Sequence, residues 1–335
     1  MLQLLENIYQ GKNLDLEQSL SSFTELLKGQ VEQPLVAAML IALKTKGESV
    51  EEIAGAAKAL REQAKPFPKT HYSMTDCCGT GGDGLNTINV STLSALVSAS
   101  MGVKIVKHGN RSVSSHCGSS DLMSALGINT QLTPEKSKDL LDKTNFCFLF
   151  APDYHQGVKH VMPVRQSLKT RTIFNLIGPL ANPALPDIQL LGVYDKKYCE
   201  SFAKILNILG TRKALIVNGS GLDEIATHDI THATYLEDGE INNIIMTPES
   251  LGIKKHSLSD IQLSNIEDNI ALGIDVLKGK AKESLIDMVA VNTGAVLYLN
   301  EISEQLSDCV QLAKEHITSG KTFEHMQLIR ELSND

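Results

Sequence analysis

Hydrophobic residues in the first 64 positions recur only at helical spacing. Apolar side chains lie three or four residues apart in four successive groups, which are Leu4, Leu5, Ile8; Leu20, Phe23, Leu26, Leu27; Val36, Met39, Leu40, Leu43; and Val50, Ile53, Ala57, Leu60. This period places the apolar residues of each group on one face of a helix. Lys65-Pro66-Phe67-Pro68 then interrupts the pattern, because proline cannot continue a helix. The sequence therefore predicts a small all-helical domain over 1–65.

From residue 74 onward, short apolar runs alternate with longer amphipathic stretches. The apolar runs predict strands over 74–78, 103–107, 146–150, 188–194 and 214–218, and helical spacing occupies 92–101, 119–127, 134–144 and 197–209. Strands that alternate with helices favour a mostly parallel central sheet flanked by helices. Residues 233–247 predict an added antiparallel hairpin, and 266–330 reads as helical again. The predicted fold class is α/β, with the small helical domain beside the sheet.

The segment 156–186 is rich in proline, arginine and lysine and does not continue this alternation. We expect about 163–185 to return to the small helical domain. The large α/β domain then consists of 70–162 and 186–335. A chain of 335 residues is long enough for one large and one small domain.

Composition and charge exclude several classes of protein. The chain has no run of about 18 or more apolar residues, so no membrane-spanning helix is expected. A net charge of −8 argues against a nucleic-acid binder, which needs a basic face. The six cysteines show no zinc-like spacing and the N-terminus shows no signal-peptide pattern. These features predict reduced thiols and a cytoplasmic protein.

The most informative polar segment follows the first predicted strand. Four glycines occupy six positions here: Gly79, Gly81, Gly82 and Gly84. They precede Asn89, Ser91 and Thr92, which are helix N-cap residue types, and then an apolar helical stripe. A glycine loop leading into a helix N-terminus combines unpaired N–H groups with the positive end of the helix dipole, so it suits an anion. The sequence therefore predicts a phosphate ligand.

The spacing Gly79-x-Gly81-x-x-Gly84 also matches the dinucleotide-binding fingerprint. A dinucleotide site needs an acidic residue at the end of the second strand to hold the ribose hydroxyls. That strand ends here in Lys107-His108. Asp83 would also repel a bare pyrophosphate, whereas a phosphate carried with Mg²⁺ suits both Asp83 and Ser91. A metal-bound phosphate ligand is therefore favoured over a dinucleotide.

Two further polar segments follow predicted parallel strands, whose carboxyl ends meet at one edge of the sheet. Residues 107–121 combine Lys107 and Arg111 with hydroxyls and glycines that can bind several phosphate oxygens. Asp223-Glu224 are adjacent carboxylates that can hold Mg²⁺, although such a pair is often only a solvated surface. Their place after a predicted strand favours the metal site.

A fourth polar segment follows the strand 146–150. Arg165 could clamp a carboxylate through two parallel hydrogen bonds. Tyr154 and His155 could wall an aromatic pocket, but His155 could equally be a helix-start histidine without a catalytic role. No pattern typical of covalent nucleophilic catalysis stands out, so this site is predicted to bind and polarise its substrates.

Several of these motifs together resemble the anthranilate phosphoribosyltransferase family, whose enzymes act in tryptophan biosynthesis. The likeness rests on Gly79-Thr-Gly-Gly-Asp83, Asn89-Val-Ser-Thr92, Lys107-His-Gly-Asn-Arg-Ser-Val-Ser-Ser115, Gly118-Ser-Ser-Asp121, the Arg165 segment, Lys169-Thr-Arg-Thr-Ile-Phe-Asn-Leu-Ile-Gly-Pro-Leu180 and Asp223-Glu224. The resemblance implies transfer of the phosphoribosyl group of 5-phosphoribosyl 1-pyrophosphate to the amine of anthranilate. It also implies a homodimer of two-domain subunits, with the active site in the cleft between the domains.

The resemblance assigns binding roles residue by residue. The phosphoribosyl pyrophosphate site is expected to comprise Gly79, Gly82, Asp83, Thr87, Asn89, Val90, Ser91, Thr92, Lys107, His108, Gly109, Asn110, Arg111, Ser112, Val113, Ser114, Ser115 and Ser119. The expected anthranilate contacts are Gly79, Asn110 and Arg165. The expected Mg²⁺ ligands, for two ions, are Ser91, Asp223 and Glu224. No catalytic residue is expected beyond these binding residues.

Three alternative functions stay open at this point. A nucleoside phosphorylase of similar architecture would use phosphate as its nucleophile and would not need Asn110 and Arg165. An NADP-dependent oxidoreductase could place Lys107 against the 2′-phosphate of its cofactor. A non-catalytic regulator could keep the ligand pocket without turnover.

Overall fold

The computed structural model describes residues 2–82, 84–111, 118–263 and 268–335. Five of the predicted phosphate-binding residues lie outside these ranges: Asp83, Ser112, Val113, Ser114 and Ser115. Within the described ranges, no helix is both long enough and apolar enough to cross a bilayer.

The N-terminal region consists of four helices, α1 (Leu2–Tyr9), α2 (Leu16–Leu27), α3 (Gln33–Lys46) and α4 (Val50–Glu62). Asp15 and Ser49 begin α2 and α4 with capping boxes, in which each side chain accepts a backbone hydrogen bond from the third helical residue. Gly55 lets these two helices approach closely, because a Cβ there would lie 2.6 Å from Cβ of Ser19. Local capping and small residues thus build the helical lobe.

Seven strands form one sheet in the order β3-β2-β1-β4-β5-β6-β7. They are β1 (Thr75–Gly79), β2 (Ile105–Gly109), β3 (Phe146–Phe150), β4 (Ile188–Gly192), β5 (Lys213–Asn218), β6 (Thr231–Glu237) and β7 (Glu240–Met246). The first five are parallel, and β6 and β7 add an antiparallel hairpin. The predicted α/β fold with a mostly parallel sheet and a helical domain is confirmed. Strand β2 begins two residues later than predicted, since Gly102, with a φ of 96°, ends the preceding helix.

Helices flank the sheet on both faces. In chain order they are α5 (Val90–Ser100), α6 (Ser119–Ala125), α7 (Pro134–Thr144), α8 (Ala151–Tyr154), α9 (Met162–Leu168), α10 (Ile173–Ile177), α11 (Tyr198–Ile208), α12 (Asp268–Leu277), α13 (Glu283–Leu299), α14 (Leu306–Thr318) and α15 (Lys321–Asn334). Short 3-10 helices cover Gln156–His160, Gly178–Leu180, Glu249–Leu251 and Leu258–Asp260. The elements between 151 and 180 are too short to show an apolar period, so sequence periodicity did not predict them.

Two large apolar clusters cover the two faces of the sheet. One joins α5 and α13 to residues of β1, β2 and β3. The other contains the core of the helical lobe together with Val164 and Ile173, and it continues onto Leu191 and Ile216 of the sheet. The segment around 163–185 thus packs with the N-terminal helices, while the domain boundaries themselves stay a prediction.

The strand order places a crevice beside β1. The chain leaves β1 for β2 on one side, whereas β4 lies on its other side, so the order of the strands reverses between β1 and β4. In open α/β sheets, ligands bind outside the carboxyl ends of the strands at such a reversal. Gly79 and Gly192, the last residues of β1 and β4, face each other there.

Candidate active site

Glycines at three strand ends make room for the acidic loop, defined here as residues 219–226. A Cβ at Gly79 would lie 2.3 Å from Oδ2 of Asp223, and a Cβ at Gly192 would lie 1.5 Å from the Asp223 carbonyl oxygen. A Cβ at Gly219 would lie 2.5 Å from the Glu224 carbonyl oxygen. Any larger side chain would displace the loop that carries both carboxylates. Sequence reasoning missed Gly192, whose only signal was a glycine at the end of an apolar run.

The acidic loop is tied to the glycine loop by a direct hydrogen bond. The Gly81 N–H donates to Oδ2 of the buried Asp223 side chain at 2.6 Å. Burial raises the pKa of the Cys77 thiol to about 12, and Glu224 adds to the rise while Lys107 opposes it. Asp223 thus meets the glycine loop at the sheet edge, where the sequence predicted it, and Glu224 is the next residue of the same loop.

Lys107 is a buried cation between β1 and the start of α5. Its side chain is only 1% exposed, and Nζ donates to the Cys77 carbonyl at 2.6 Å and to Oγ of Ser91 at 3.4 Å. Burial raises the pKa of the neighbouring Asp76 carboxyl, while Lys107 and a hydrogen bond from Asn182 counter that rise. The structure therefore brings Lys107 and Ser91 together beside the buried Asp76 carboxyl.

The far end of the glycine loop is pinned to the segment before α12. Thr87 forms a β-bridge with Gln262, and Leu263 N–H donates to the Asn86 carbonyl at 2.8 Å. The Asn89 N–H donates to Oδ1 of Asn269 at 3.2 Å. The predicted residues Thr87, Asn89, Val90, Ser91 and Thr92 therefore stand together at the start of α5. The contributions of Gln262, Leu263 and Asn269 could not be read from the sequence, because these residues are remote along the chain.

The loop after β2 is equally compact where it is described. A Cβ at Gly109 would lie 2.3 Å from Oγ of Ser119 and 2.7 Å from Cζ of Phe148, so a larger residue would force both side chains to move. Ser119 Oγ and Ser120 N–H both donate to the Asn110 carbonyl, at 3.3 and 3.2 Å. The guanidinium of Arg111 lies 5.8 Å from the centre of the Phe150 ring. Gly109, Asn110, Arg111 and Ser119 thus lie around the ends of β2 and β3.

The half-buried His108 and the buried His155 form a pair beside this loop. Their ring centroids lie 5.1 Å apart in an edge-to-face arrangement, and His155 is 7% exposed. Burial lowers the pKa of His155 to about 4. The pKa of His108 is lowered well below its usual value, mainly by burial and secondly by repulsion from His155. Both rings are therefore neutral at pH 7 and can face an uncharged aromatic group.

Stability is expected to fall on acidification because of this pair. The folded pKa of His155 is below the unfolded value, so its contribution is complete above about pH 6.5 and is lost as the pH falls toward 4. The free energy of unfolding should drop by about 1.6 kcal/mol between pH 6.5 and 5 from His155 alone, and His108 should lower it further. Urea unfolding at both pH values measures the drop. His155→Gln should reduce this drop in unfolding free energy, whereas His71→Gln, a control at an exposed histidine, should not. An equal drop in the wild type and both variants would contradict the expectation.

Arg165 lies on α9 with its guanidinium 5.2 Å from the centre of the Phe174 ring. Burial lowers its pKa. Among the described residues, no carboxylate lies within ion-pair distance of this guanidinium, which instead contacts Sδ of Met162 at 3.7 Å. A half-buried guanidinium that has no carboxylate partner among the described residues suits a planar carboxylate ligand.

Arg171 contacts the glycine loop, although in the sequence it was noted only as part of the motif from Lys169 to Leu180. Its Nη2 donates to the Gly82 carbonyl at 2.7 Å, and its guanidinium lies 4.4 Å from the centre of the Tyr194 ring. A Cβ at Gly82 would lie 1.6 Å from Nη2, so the glycine is needed for this approach. The segment after α9 thus reaches from the helical lobe to the glycine loop.

Comparison with known proteins agrees with this geometry. Residues 2–64 match the glycosyl transferase family helical bundle domain, and residues 71–323 match the glycosyl transferase family a/b domain. An anthranilate phosphoribosyltransferase from Shewanella baltica (strain OS195) is 46% identical over 339 residues, which cover 99% of this chain and 95% of the relative. The chain belongs to the anthranilate phosphoribosyltransferase family. The resemblance carried by the motifs is confirmed.

Solved structures of anthranilate phosphoribosyltransferases share the fold. The enzyme from Thermus thermophilus is 36% identical, with a TM-score of 0.92 and 99% of each chain covered. The Saccharomyces cerevisiae enzyme in complex with phosphoribosyl pyrophosphate and Mg is 28% identical, with a TM-score of 0.84 and coverage of 95% of this chain and 92% of that one. The same yeast enzyme has been solved with 4-fluoroanthranilate, at 26% identity, a TM-score of 0.85 and coverage of 96% and 94%.

The residues at the sheet edge fit a magnesium ion of the kind expected in an anthranilate phosphoribosyltransferase. Asp223, Glu224 and Ser91 offer carboxylate and hydroxyl oxygens, which Mg²⁺ prefers over nitrogen and sulfur. Within the described parts of the chain, no group of three or more His, Cys, Asp or Glu side chains gathers as a metal cage. Such a site suits an ion that keeps several waters and is completed by substrate phosphate oxygens.

Proposed function

We infer that this protein transfers the phosphoribosyl group of 5-phosphoribosyl 1-pyrophosphate to the amine of anthranilate. The products are N-(5-phosphoribosyl)anthranilate and pyrophosphate, in tryptophan biosynthesis. The observation that carries this conclusion is the 46% identity over 99% of the chain to the Shewanella baltica enzyme. The junction of glycine loop, helix start and acidic loop at one sheet edge supports it independently.

We propose that phosphoribosyl pyrophosphate lies across the ends of β1 and β2. The supporting features are the N–H groups of the glycine loop, the start of α5 and the buried cation Lys107. The proposed contact set is the one that the motifs implied, from Gly79 to Ser119, and it includes Asp83 and 112–115, which lie outside the described residues. Val90 is buried among apolar side chains, so its proposed contact is through the backbone.

Anthranilate is proposed to lie against Arg165, Asn110 and Gly79. Its carboxylate matches the planar donors of the half-buried Arg165 guanidinium. Its ring is proposed to face the neutral imidazoles of His108 and His155, which lie beside the loop that carries Asn110. This arrangement gives Tyr154 no contact role, since its side chain is buried with Met74 and Val106.

The reaction joins the anthranilate nitrogen to C1 of the ribose, breaks the bond from C1 to pyrophosphate and releases the amine proton. Negative charge develops on the leaving pyrophosphate, where Lys107 and the N–H groups at the start of α5 stabilise it. Asp223, Glu224 and Ser91 would hold Mg²⁺, which would neutralise further negative charge on the phosphate oxygens. An aromatic amine is nucleophilic without prior deprotonation, so positioning by Arg165 and Asn110 replaces a general base.

Four finer points remain part of this proposal. They are the use of two Mg²⁺ ions, a homodimer, a cytoplasmic location, and the division into a helical domain of 1–65 with about 163–185 and an α/β domain of 70–162 and 186–335. The apolar residues Leu2, Tyr9 and Ile41 are exposed on the helical lobe, which supports an interface there. Packing of Val164 and Ile173 with the N-terminal helices supports the domain division.

Anthranilate fluorescence gives the direct test of the activity. We expect the fluorescence to fall only when the protein, phosphoribosyl pyrophosphate and Mg²⁺ are all present, with one pyrophosphate released per anthranilate consumed. Release of a free base from a nucleoside and phosphate would instead identify a nucleoside phosphorylase. A change in NADPH absorbance would identify an oxidoreductase. Binding of both substrates without turnover would identify a regulator.

A further inference from the structure

We propose that Asn218 and Asn292 are positioning residues that hold the acidic loop from its two sides and thereby place the carboxylates of Asp223 and Glu224. The proposal rests on the proposed function, in which these carboxylates hold the metal. Neither asparagine is among the residues that the motifs assigned to binding.

Asn218 holds the N-terminal side of the acidic loop. It is the last residue of β5 and is 4% exposed. Its Nδ2 donates to the Val193 carbonyl at 2.7 Å and to the Leu222 carbonyl at 3.3 Å. One amide group therefore links the residue just after β4 to the residue just before Asp223.

Asn292 holds the C-terminal side of the acidic loop from a different element. It lies in α13 and is fully buried. Its Oδ1 accepts from the Ile225 N–H at 3.0 Å, and its Nδ2 donates to the carbonyls of Ile225 at 3.3 Å and Met288 at 2.9 Å. Both polar backbone groups of the residue after Glu224 are thus satisfied by one side chain.

The acidic loop lies outside the named strands and helices, and the isolated bridge between Gly219 and Leu222 pairs only its first half, so side chains must support the half that carries the carboxylates. Within this loop, just after Asn218, the chain makes a turn with a φ of 51° at Ser220 and of 104° at Gly221. Burying an amide in the apolar environment of α13 is costly unless every polar atom is paired. Residues that hydrogen-bond behind metal ligands fix the orientation of those ligands, and their loss typically weakens metal affinity roughly ten- to hundredfold.

Mn²⁺ binding tests the proposal without relying on turnover. Mn²⁺ prefers the same oxygen ligands as Mg²⁺ and is observed by electron paramagnetic resonance, here titrated into the full chain in the presence of pyrophosphate. We expect Asn292→Leu to raise the Mn²⁺ dissociation constant at least roughly tenfold. Addition of excess Mg²⁺ should restore much of its lost activity, and the KM for anthranilate should change little.

Asn300 supplies a matched control on the same helix region. It follows α13 at the amino ends of the strands, away from the acidic loop. Its Oδ1 accepts from Oγ1 of Thr75, the first residue of β1, and its Nδ2 donates to the Val296 carbonyl. Asn300→Leu should lower the melting temperature to a similar degree but leave Mn²⁺ binding as in the wild type. Equal Mn²⁺ affinity in Asn292→Leu and Asn300→Leu would overturn the proposal.

Asn218→Ser is a second variant for the case in which Asn292→Leu does not fold. It removes only the bonds to Val193 and Leu222 and should also weaken Mn²⁺ binding severalfold; wild-type affinity in this variant would overturn the proposal. The fluorescence assay on the wild type separates the two ideas. Wild-type protein that binds Mn²⁺ and pyrophosphate but does not consume anthranilate would contradict the proposed function and leave the positioning comparison interpretable.

Discussion

Replacement of Arg165 by alanine should raise the KM for anthranilate by roughly thirtyfold to several thousandfold. Loss of one partner from a buried, hydrogen-bonded charge pair costs about 2–5 kcal/mol, which corresponds to this range. The effect is expected because the guanidinium is half-buried against Phe174 and matches a carboxylate ligand. The KM for phosphoribosyl pyrophosphate should stay within about twofold of the wild-type value, since that ligand is proposed to lie across β1 and β2.

Two further variants make the Arg165 result specific. Arg165→Lys keeps the charge but loses the planar pair of donors, so it should recover only part of the anthranilate affinity. Arg330→Ala, at an exposed arginine of α15, should behave as the wild type. Steady-state kinetics, with each substrate varied in turn, measure the KM for anthranilate and for phosphoribosyl pyrophosphate in each variant. An unchanged KM for anthranilate in Arg165→Ala, or an equal rise for both substrates, would contradict the assigned role.

Gly192→Ala should lower kcat/KM at least roughly a hundredfold. Its Cβ would lie 1.5 Å from the carbonyl oxygen of Asp223 and 2.4 Å from its carbonyl carbon, so the backbone of the acidic loop must move. A displacement of about 1 Å at a positioning element costs on this order in rate. The measurement is kcat/KM for phosphoribosyl pyrophosphate, with circular dichroism to show that the fold persists.

Gly178→Ala is the matched control for Gly192→Ala. A Cβ at Gly178 would meet no atom within 4 Å, and its φ of −52° is ordinary for alanine. This variant should keep wild-type activity and stability. If Gly192→Ala were as active as Gly178→Ala, close packing of the acidic loop on β4 would not matter for the reaction.

The sequence predicted the elements whose apolar period is long or sharply bounded. Strand 146–150 and helix 134–144 match their predicted ranges because a continuous apolar run and a Pro134 helix start define them. The start of β2 was misplaced, since apolar Val103 precedes the strand in the turn after Gly102. The short helices between 151 and 180 were missed because elements of three to seven residues are too short to show an apolar period.

The candidate site was predictable where its residues are consecutive in the chain. The glycine loop and the Asp223-Glu224 pair stand out by composition, and the structure joins them through the Gly81 to Asp223 hydrogen bond. Gly192 and Asn292 were not predictable as parts of the site, because each acts on the acidic loop from a distant element. An asparagine inside an apolar helix gives no signal of which backbone group it satisfies.

Crystals of the protein grown with phosphoribosyl pyrophosphate and Mg²⁺ give the most direct test of the central claim. We expect the pyrophosphate group over the carboxyl ends of β1 and β2, facing Gly79, the start of α5 and Lys107, with metal between it and the Asp223 and Glu224 carboxylates. Clear density for the ligand at another place on the molecule, with the edge beside Gly79 and Gly192 left empty, would contradict the claim.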